Sequence, residues 1–277
     1  MKIAIASHVT LDSIDNQDSC YYLGGPACYC GLTCRQLGFE TILVTKVGED
    51  LPVDKRDFLK RNLHLDIKQF EKECLTTKFS IRQHNDTREV TLLFKSNPLT
   101  VDDVSDIDVD GWIVSPVIDE VPLDVLRAIT KKGKFVMLDP RGYLRKVQPS
   151  GAITLAKSVA LDCSVVSAVK ADEDEFKILG PINADFVIST TRRVIHMNEH
   201  KLRVDYIPTI DSTGIGDILS AVFTCIYIKE RDSRLAICRA AGAMIAALKA
   251  NAKGLDKIPT KSKIEEYAAA NLSKIYI

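Results

Sequence analysis

The 277-residue sequence has no net charge, because 37 lysines and arginines offset 37 aspartates and glutamates. A chain without an overall field is not drawn to nucleic acid or to an anionic membrane, so small molecules are the expected partners, with no nucleic acid and no membrane among them. It also lacks any apolar run of the ~18 residues that a membrane span needs. MKIAIASHVTLD at the N-terminus meets Asp12 too soon for a signal peptide, which points to a cytoplasmic location. No repeat, low-complexity tract or long linker interrupts the chain, and one domain over residues 1–277 is expected. There is no GxxxxGK[ST], which excludes a Walker-type phosphate loop. A paired CxxC is missing too. Of the eight cysteines, Cys28, Cys30 and Cys34 lie close together, but no histidine stands at ligand spacing beside them. On a helix Cys30 and Cys34 would share one face as small buried apolar side chains, and Cys225 and Cys238 read the same way in two apolar helices.

What is present alternates. KIAIAS (2–7) reads as a strand, 25–37 as a helix, TILVTKVG (41–48) as a strand and 52–62 as an amphipathic helix. This rhythm predicts a parallel sheet covered on both faces and joined by right-handed crossovers. It breaks between 75 and 100, where TTKFSIRQHNDTREVTLLF alternates apolar and polar residues about the turn-like His84, Asn85 and Asp86. That is the pattern of a hairpin with one solvated face, a candidate lid or dimer contact. GWIVSPV (111–117), a helix over 121–132 and KFVMLDP (134–140) restore the rhythm. SVVSAVK (164–170), DFVIST (185–190), paired strands over 194–197 and 202–207, and helices over 214–229, 234–249 and 262–271 complete it. In open parallel sheets ligands bind beyond the C-terminal strand ends. Asp12, Gly24, Gly25, Asp139, Asp172 and the stretch 211–217 all follow strand-like runs, which predicts that they share one rim.

The stretch 211–217 is DSTGIGD, and eleven largely apolar residues without Gly or Pro follow it. Here a loop turns into a buried helix. Gly214 and Gly216 allow backbone to come close to a ligand, and the unpaired amides of the first turn, with the positive end of the helix dipole, form a site for an anion such as phosphate. Asp217 falls in that same turn. A carboxylate there can take a proton from an attacking hydroxyl while the amides of Ile215, Gly216 and Asp217 hold the charge that develops on a transferred group. The other reading is that Asp211 or Asp217 caps the helix.

DSTGIGD with its apolar helix resembles the C-terminal signature of the ribokinase-like (PfkB) family of sugar and nucleoside kinases. GGPACYCGLTCRQLG (24–38) is similar to the family's N-terminal signature. SPVIDEVP (115–122) and DPRGYLR (139–145) are similar to segments of its archaeal myo-inositol kinase-like branch, with Arg141 where a Gln usually stands. The resemblance implies a three-layer α/β/α fold with a mostly parallel central sheet and a small β-hairpin lid, its lid strands within about 10–24 and 75–97. It implies an ATP-dependent kinase acting on a hydroxyl of a small sugar or cyclic polyol, with Asp217 as base and Gly214, Ile215 and Gly216 beside it. Asp12, Gly24, Gly25, Tyr29 and Arg141 would bind the substrate, with Tyr29 in the place of the family's usual Asn. Asp172, Glu175, Thr190, Arg192, Asp211 and Thr213 would bind the nucleotide. Asp172 replaces Asn in the NxxE motif, Arg192 stands at a usual Gly, and Glu175 would act on Mg²⁺ through water. A homodimer through the lid is a further implication. The alternatives are a nucleoside kinase of the same family and a non-catalytic relative that only binds its ligand.

Overall fold

The structure is a computed structural model that describes residues 1–14, 21–65, 69–71, 73–84, 87–155, 161–191, 193–270 and 275–276. Arg192, Cys20 and the hairpin-turn residues Asn85 and Asp86 lie outside them.

The first third of the chain runs β1 (Lys2–Ala6), β2 (Thr10–Ile14), β3 (Tyr22–Gly24), α1 (Gly25–Gln36), β4 (Glu40–Val44), β5 (Val47–Gly48) and α2 (Val53–Leu63). Next come β6 (Phe70–Glu71), the hairpin β7 (Thr77–His84) and β8 (Thr87–Phe94), α3 (Asp102–Ser105), β9 (Gly111–Val114), α4 (Leu123–Thr130) and β10 (Phe135–Leu138). After α5 (Arg141–Leu144) and the small pair β11 (Arg145–Val147) and β12 (Ile153–Leu155) come β13 (Ala168–Asp172), α6 (Glu173–Leu179) and β14 (Phe186–Thr190). The chain closes with β15 (Val194–Met197), β16 (His200–Arg203), α7 (Ile215–Glu230), α8 (Ser233–Ala250), α9 (Lys261–Ala269) and β17 (Ile275–Tyr276).

Among the described residues the main sheet has the order β17-β16-β15-β14-β13-β10-β9-β1-β4. From β14 to β4 every pairing is parallel, and the three strands beyond β14 are antiparallel. The central strands are short apolar runs because helices cover both faces. Ile3, Ile5, Ile113 and Met137 face one cluster with α1, α7 and α8, while Ala4, Ala6, Trp112, Val114 and Leu138 face the other with α4. A second sheet, β3-β2-β7-β8, stands apart as the lid. Its root is fixed at the turn after β1. There His8 is buried, with Nδ1 2.8 Å from the Thr77 hydroxyl and Nε2 2.9 Å from the Asn97 carbonyl, so one ring braces both ends of the hairpin.

Expected element boundaries shift where side chains intercept the backbone. The strand expected over 164–170 begins at Ala168, because the Asp162 carboxylate accepts from Ser164 N and starts a short 3-10 turn instead. The one expected over 41–48 stops at Val44, and the Thr45 hydroxyl takes the amide of Val9. Cys30, Cys34, Cys225 and Cys238 are buried free thiols, as expected, and so is Cys28. Among the described residues no helix is long and apolar enough to cross a membrane.

Candidate active site

Helix α7 is anchored by Ile218, Leu219, Val222 and Phe223, all fully buried, and that anchoring fixes where it begins. Gly214 is the N-cap, in left-handed backbone at φ 79°, and no side chain caps the first turn. Capping of this helix therefore explains neither Asp211 nor Asp217. The Tyr29 ring fills the space that a side chain at Gly214 would need. The uncapped turn opens on a cleft that Gly214, Gly216, Asp217, Asp12, Gly25, Tyr29, Asp139, Arg141 and Lys170 line. Phe79, Ile81 and Val90 of the lid hairpin close it from the far side. Of the residues expected on one rim, Asp12, Gly25, Asp139, Gly214 and Asp217 meet at this cleft, whereas Gly24, Asp172 and Asp211 do not line it.

Asp217 lines this cleft from the first turn of α7. Burial, and then the charge of Asp139, push its carboxyl up to about 6, against the pull of Lys170, Arg141 and Arg145. A base with that value is ionised at neutral pH yet still basic enough to accept a proton. Asp12 lies within β2 and is 4% exposed. Its carboxylate occupies the space beside Gly24 that any side chain there would fill. Gly24 thus serves the site by making room for Asp12, while Gly25, at φ 78°, presents backbone to the cleft.

Sequence reasoning overlooked Lys170. It stands in the middle of β13, 2% exposed, with Nζ 3.0 Å from Asp139 Oδ2, and it packs against Gly216, where a Cβ would meet Nζ. A lysine within an otherwise apolar strand was the available signal, since a buried ammonium requires a partner. The pair places a cation directly under the first turn of α7.

On the expected nucleotide side the acidic residues are engaged with one another. Asp172 and Glu175 form a capping box at the start of α6. Arg141 spans them, with Nη2 3.2 Å from Asp172 Oδ2 and Nε 2.8 Å from Glu175 Oε1, the latter an ion pair too bent to be a hydrogen bond. Glu175 Oε2 accepts from Asp172 N at 2.8 Å, and the side chain is 2% exposed. Both oxygens of Glu175 are therefore committed. Among the described residues no cluster of three or more His, Cys, Asp or Glu could hold a metal ion; the expectation for Glu175 needs no such cluster, since it acts on Mg²⁺ through water. Arg141, expected on the substrate, lines the cleft but holds this acidic pair. Thr190 ends β14 beside Asp172 in register, and Thr213 lines the cleft.

Asp211 is a correction. Instead of facing a nucleotide it turns inward, 4% exposed, where Oδ1 accepts from Thr213 N at 2.8 Å and Oδ2 from Gly254 N at 2.9 Å. Lys257 Nζ lies 2.6 Å from Oδ2. Burial opposes the charge, but Lys257 and these amides hold the carboxyl below its usual range. The residue is a strut for the loop that leads into α7.

No protein-family model matches the sequence, and no curated protein is significantly similar to it. Solved structures do match. A pyrophosphate-dependent kinase in the ribokinase family, complexed with a pyrophosphate analog and myo-inositol, superposes with a TM-score of 0.78 at 19% identity over 95% of this chain and 99% of its own. The nucleoside kinase of Methanocaldococcus jannaschii, an archaeal member of the ribokinase family, gives 0.73 at 21% identity over 98% of each chain. Ribokinase of Arabidopsis thaliana, complexed with ribose and ATP, gives 0.69 at 13% identity over 96% of this chain and 98% of its own. The fold of this chain is therefore that of the ribokinase-family kinases.

Proposed function

We propose that the chain is a kinase that moves a phosphoryl group onto a hydroxyl of a small sugar or a cyclic polyol such as myo-inositol. One observation carries the reading: the Asp217 carboxylate and the uncapped first turn of α7 open into the same cleft as Asp12. The acceptor hydroxyl lies between Asp12, which takes hydrogen bonds from its neighbouring hydroxyls, and Asp217, which removes its proton. The freed oxygen attacks the terminal phosphorus of the donor in line. The bond from that phosphorus to its bridging oxygen breaks, and the electron pair leaves with the rest of the donor. Charge gathering on the transferred group meets the amides of Ile215, Gly216 and Asp217 and, through the gap at Gly216, the Lys170 ammonium.

The donor we propose first is ATP, on the motif resemblance, with Mg²⁺ carried on its phosphates. Pyrophosphate is the second reading. Arg141, Arg145 and Lys170 all line the cleft, which suits a compact polyanion, and a structurally similar kinase is pyrophosphate-dependent. For the acceptor, the Tyr29 ring is 1% exposed and packed on Gly214. It is not placed to stack a base, which favours a polyol over a nucleoside. We also propose a dimer through the lid, where Leu93, Phe94 and Leu155 are exposed. The deciding experiment measures donor consumption with ATP and with pyrophosphate against a panel of sugars, inositols and nucleosides. Consumption that depends on a polyol and is lost in Asp217→Asn supports the reading, whereas a panel with no acceptor-dependent consumption ends it.

A further inference from the structure

Lys257 takes no part in the chemistry above, yet its side chain is 0% exposed. It rises from the short 3-10 turn Gly254–Lys257 and ends among oxygens. Asp211 Oδ2 lies at 2.6 Å, the main-chain oxygen of Asp211 at 2.8 Å and that of Thr213 at 3.0 Å. The Tyr29 ring closes another side, its centroid 5.9 Å from Nζ. Three oxygens match the three donors of an ammonium, which is what makes its burial tolerable. One carboxylate and two carbonyls are also the donor set that suits a dehydrated alkali cation, whose water shell main-chain oxygens can replace. The place of these carbonyls in the chain matters. Thr213 is the residue before Gly214, so the ammonium grips the backbone one step ahead of the amides that open on the cleft.

We infer that Lys257 is a tethered monovalent cation that holds the anion-binding turn in position. It is a positioning residue, because it contacts the loop and Tyr29 and does not line the cleft. Its effect on turnover rests on the phosphoryl-transfer reading above, whereas the oxygen cage itself does not. A chain that supplies its own cation has no need of one from solution. The parent protein is therefore expected to show the same turnover and melting temperature in potassium, sodium and tetramethylammonium chloride at equal ionic strength.

Lys257→Ala empties the cage and leaves Asp211 buried without its cation. The variant is expected to melt lower than the parent in tetramethylammonium chloride, and to regain much of the loss in potassium or methylammonium chloride, ions small enough to enter. Turnover is expected to fall by about 10²-fold, the scale of a misplaced reacting group, with the acceptor KM little changed and recovery in the same two salts. Recovery of melting temperature without any kinase activity in the parent would uphold the cage and reject the enzyme. A variant with parental turnover, or one whose losses no small cation reverses, overturns the inference. If Lys257→Ala does not fold in any of these salts, the double variant Asp211→Asn with Lys257→Met, which buries no lone charge, decides. Turnover at least tenfold down with acceptor KM retained supports the role, and parental turnover overturns it.

Discussion

Asp217 has two demands on it, and they pull in opposite directions. As a base it must be ionised, but burial beside Asp139 disfavours the ion. Because its carboxyl is pushed up to about 6, kcat/KM is expected to rise with pH through that value and level off above it. In Asp217→Asn that limb should vanish and turnover should fall ~10²–10⁴-fold, the range for a positioned base; initial rates across pH check both. The same shift makes a stability prediction. A raised carboxyl contributes stability that is fully present below the unfolded value and lost as pH rises through the folded one. Asp217→Asn is therefore expected to resist denaturant better than the parent at about pH 8, by roughly 1–2 kcal/mol after allowance for partial exposure, and to match it at about pH 4. Lys170 sits on the other side of that balance. Lys170→Met leaves Asp139 buried with only the Arg141 amide and charge beside it and is expected to cost about 3–5 kcal/mol in chemical denaturation.

How much of the site could be read from residues follows from how local each one is. DSTGIGD holds base, glycines and helix start within seven consecutive positions, so its geometry is nearly all in the sequence. Asp211 was misread because its partners, Gly254 and Lys257, lie more than forty residues away and reach it only through the packing of α8 and the turn that follows it. Arg141 lines the cleft as a substrate ligand would, but nothing near it in sequence announces that Asp172 and Glu175 will close on it.

At the scale of elements, the long helices and most five-residue strands were legible, the helices from their length and apolar faces, the central strands because burial on both faces makes them short unbroken apolar runs. The two- and three-residue strands β5, β6, β11, β12 and β17 were not, since so short a segment carries no period to read. One buried carboxylate ties several elements together. Glu120 is 0% exposed and accepts from His8 N at 3.0 Å, Val117 N at 2.8 Å and Ile118 N at 2.8 Å. It thus joins the turn that roots the lid to the loop after β9, whose Val117 lines the cleft. Glu120→Gln puts an amide donor against one or more of these N–H groups. It is expected to lower stability by about 2–4 kcal/mol, from a lost charge-assisted bond and a buried unpaired donor. It should also raise the acceptor KM, which denaturation curves and saturation kinetics would detect; unchanged values of both would contradict the staple.

For the whole molecule, the lid that closes the cleft is also the surface on which the proposed dimer would form. Leu93 and Phe94 on β8 and Leu155 on β12 are 41%, 46% and 42% exposed, and β8 is the outer strand of its sheet. Gly151 O already takes the amide of Leu92 on that edge, so the exposed apolar side chains, rather than free backbone, are what would find a partner. Sedimentation velocity is expected to show a dimer that Leu93→Lys dissociates, and a parent that stays monomeric at every concentration would remove the dimer.

The thiols between α1 and α7 carry a practical consequence. Cys30 donates to the Asp217 carbonyl at 3.4 Å, and Cys28, Cys30, Cys34 and Cys225 are all enclosed in the native protein. An alkylating reagent can reach them only when the two halves of the pocket part, whereas partly exposed Cys74 remains open to it. Alkylation of Cys30, followed by itself because Cys163 and Cys238 are buried elsewhere, is thus a stopwatch for opening beside Asp217, and a compound that fills the cleft is expected to lengthen it whether or not the compound is ever turned over.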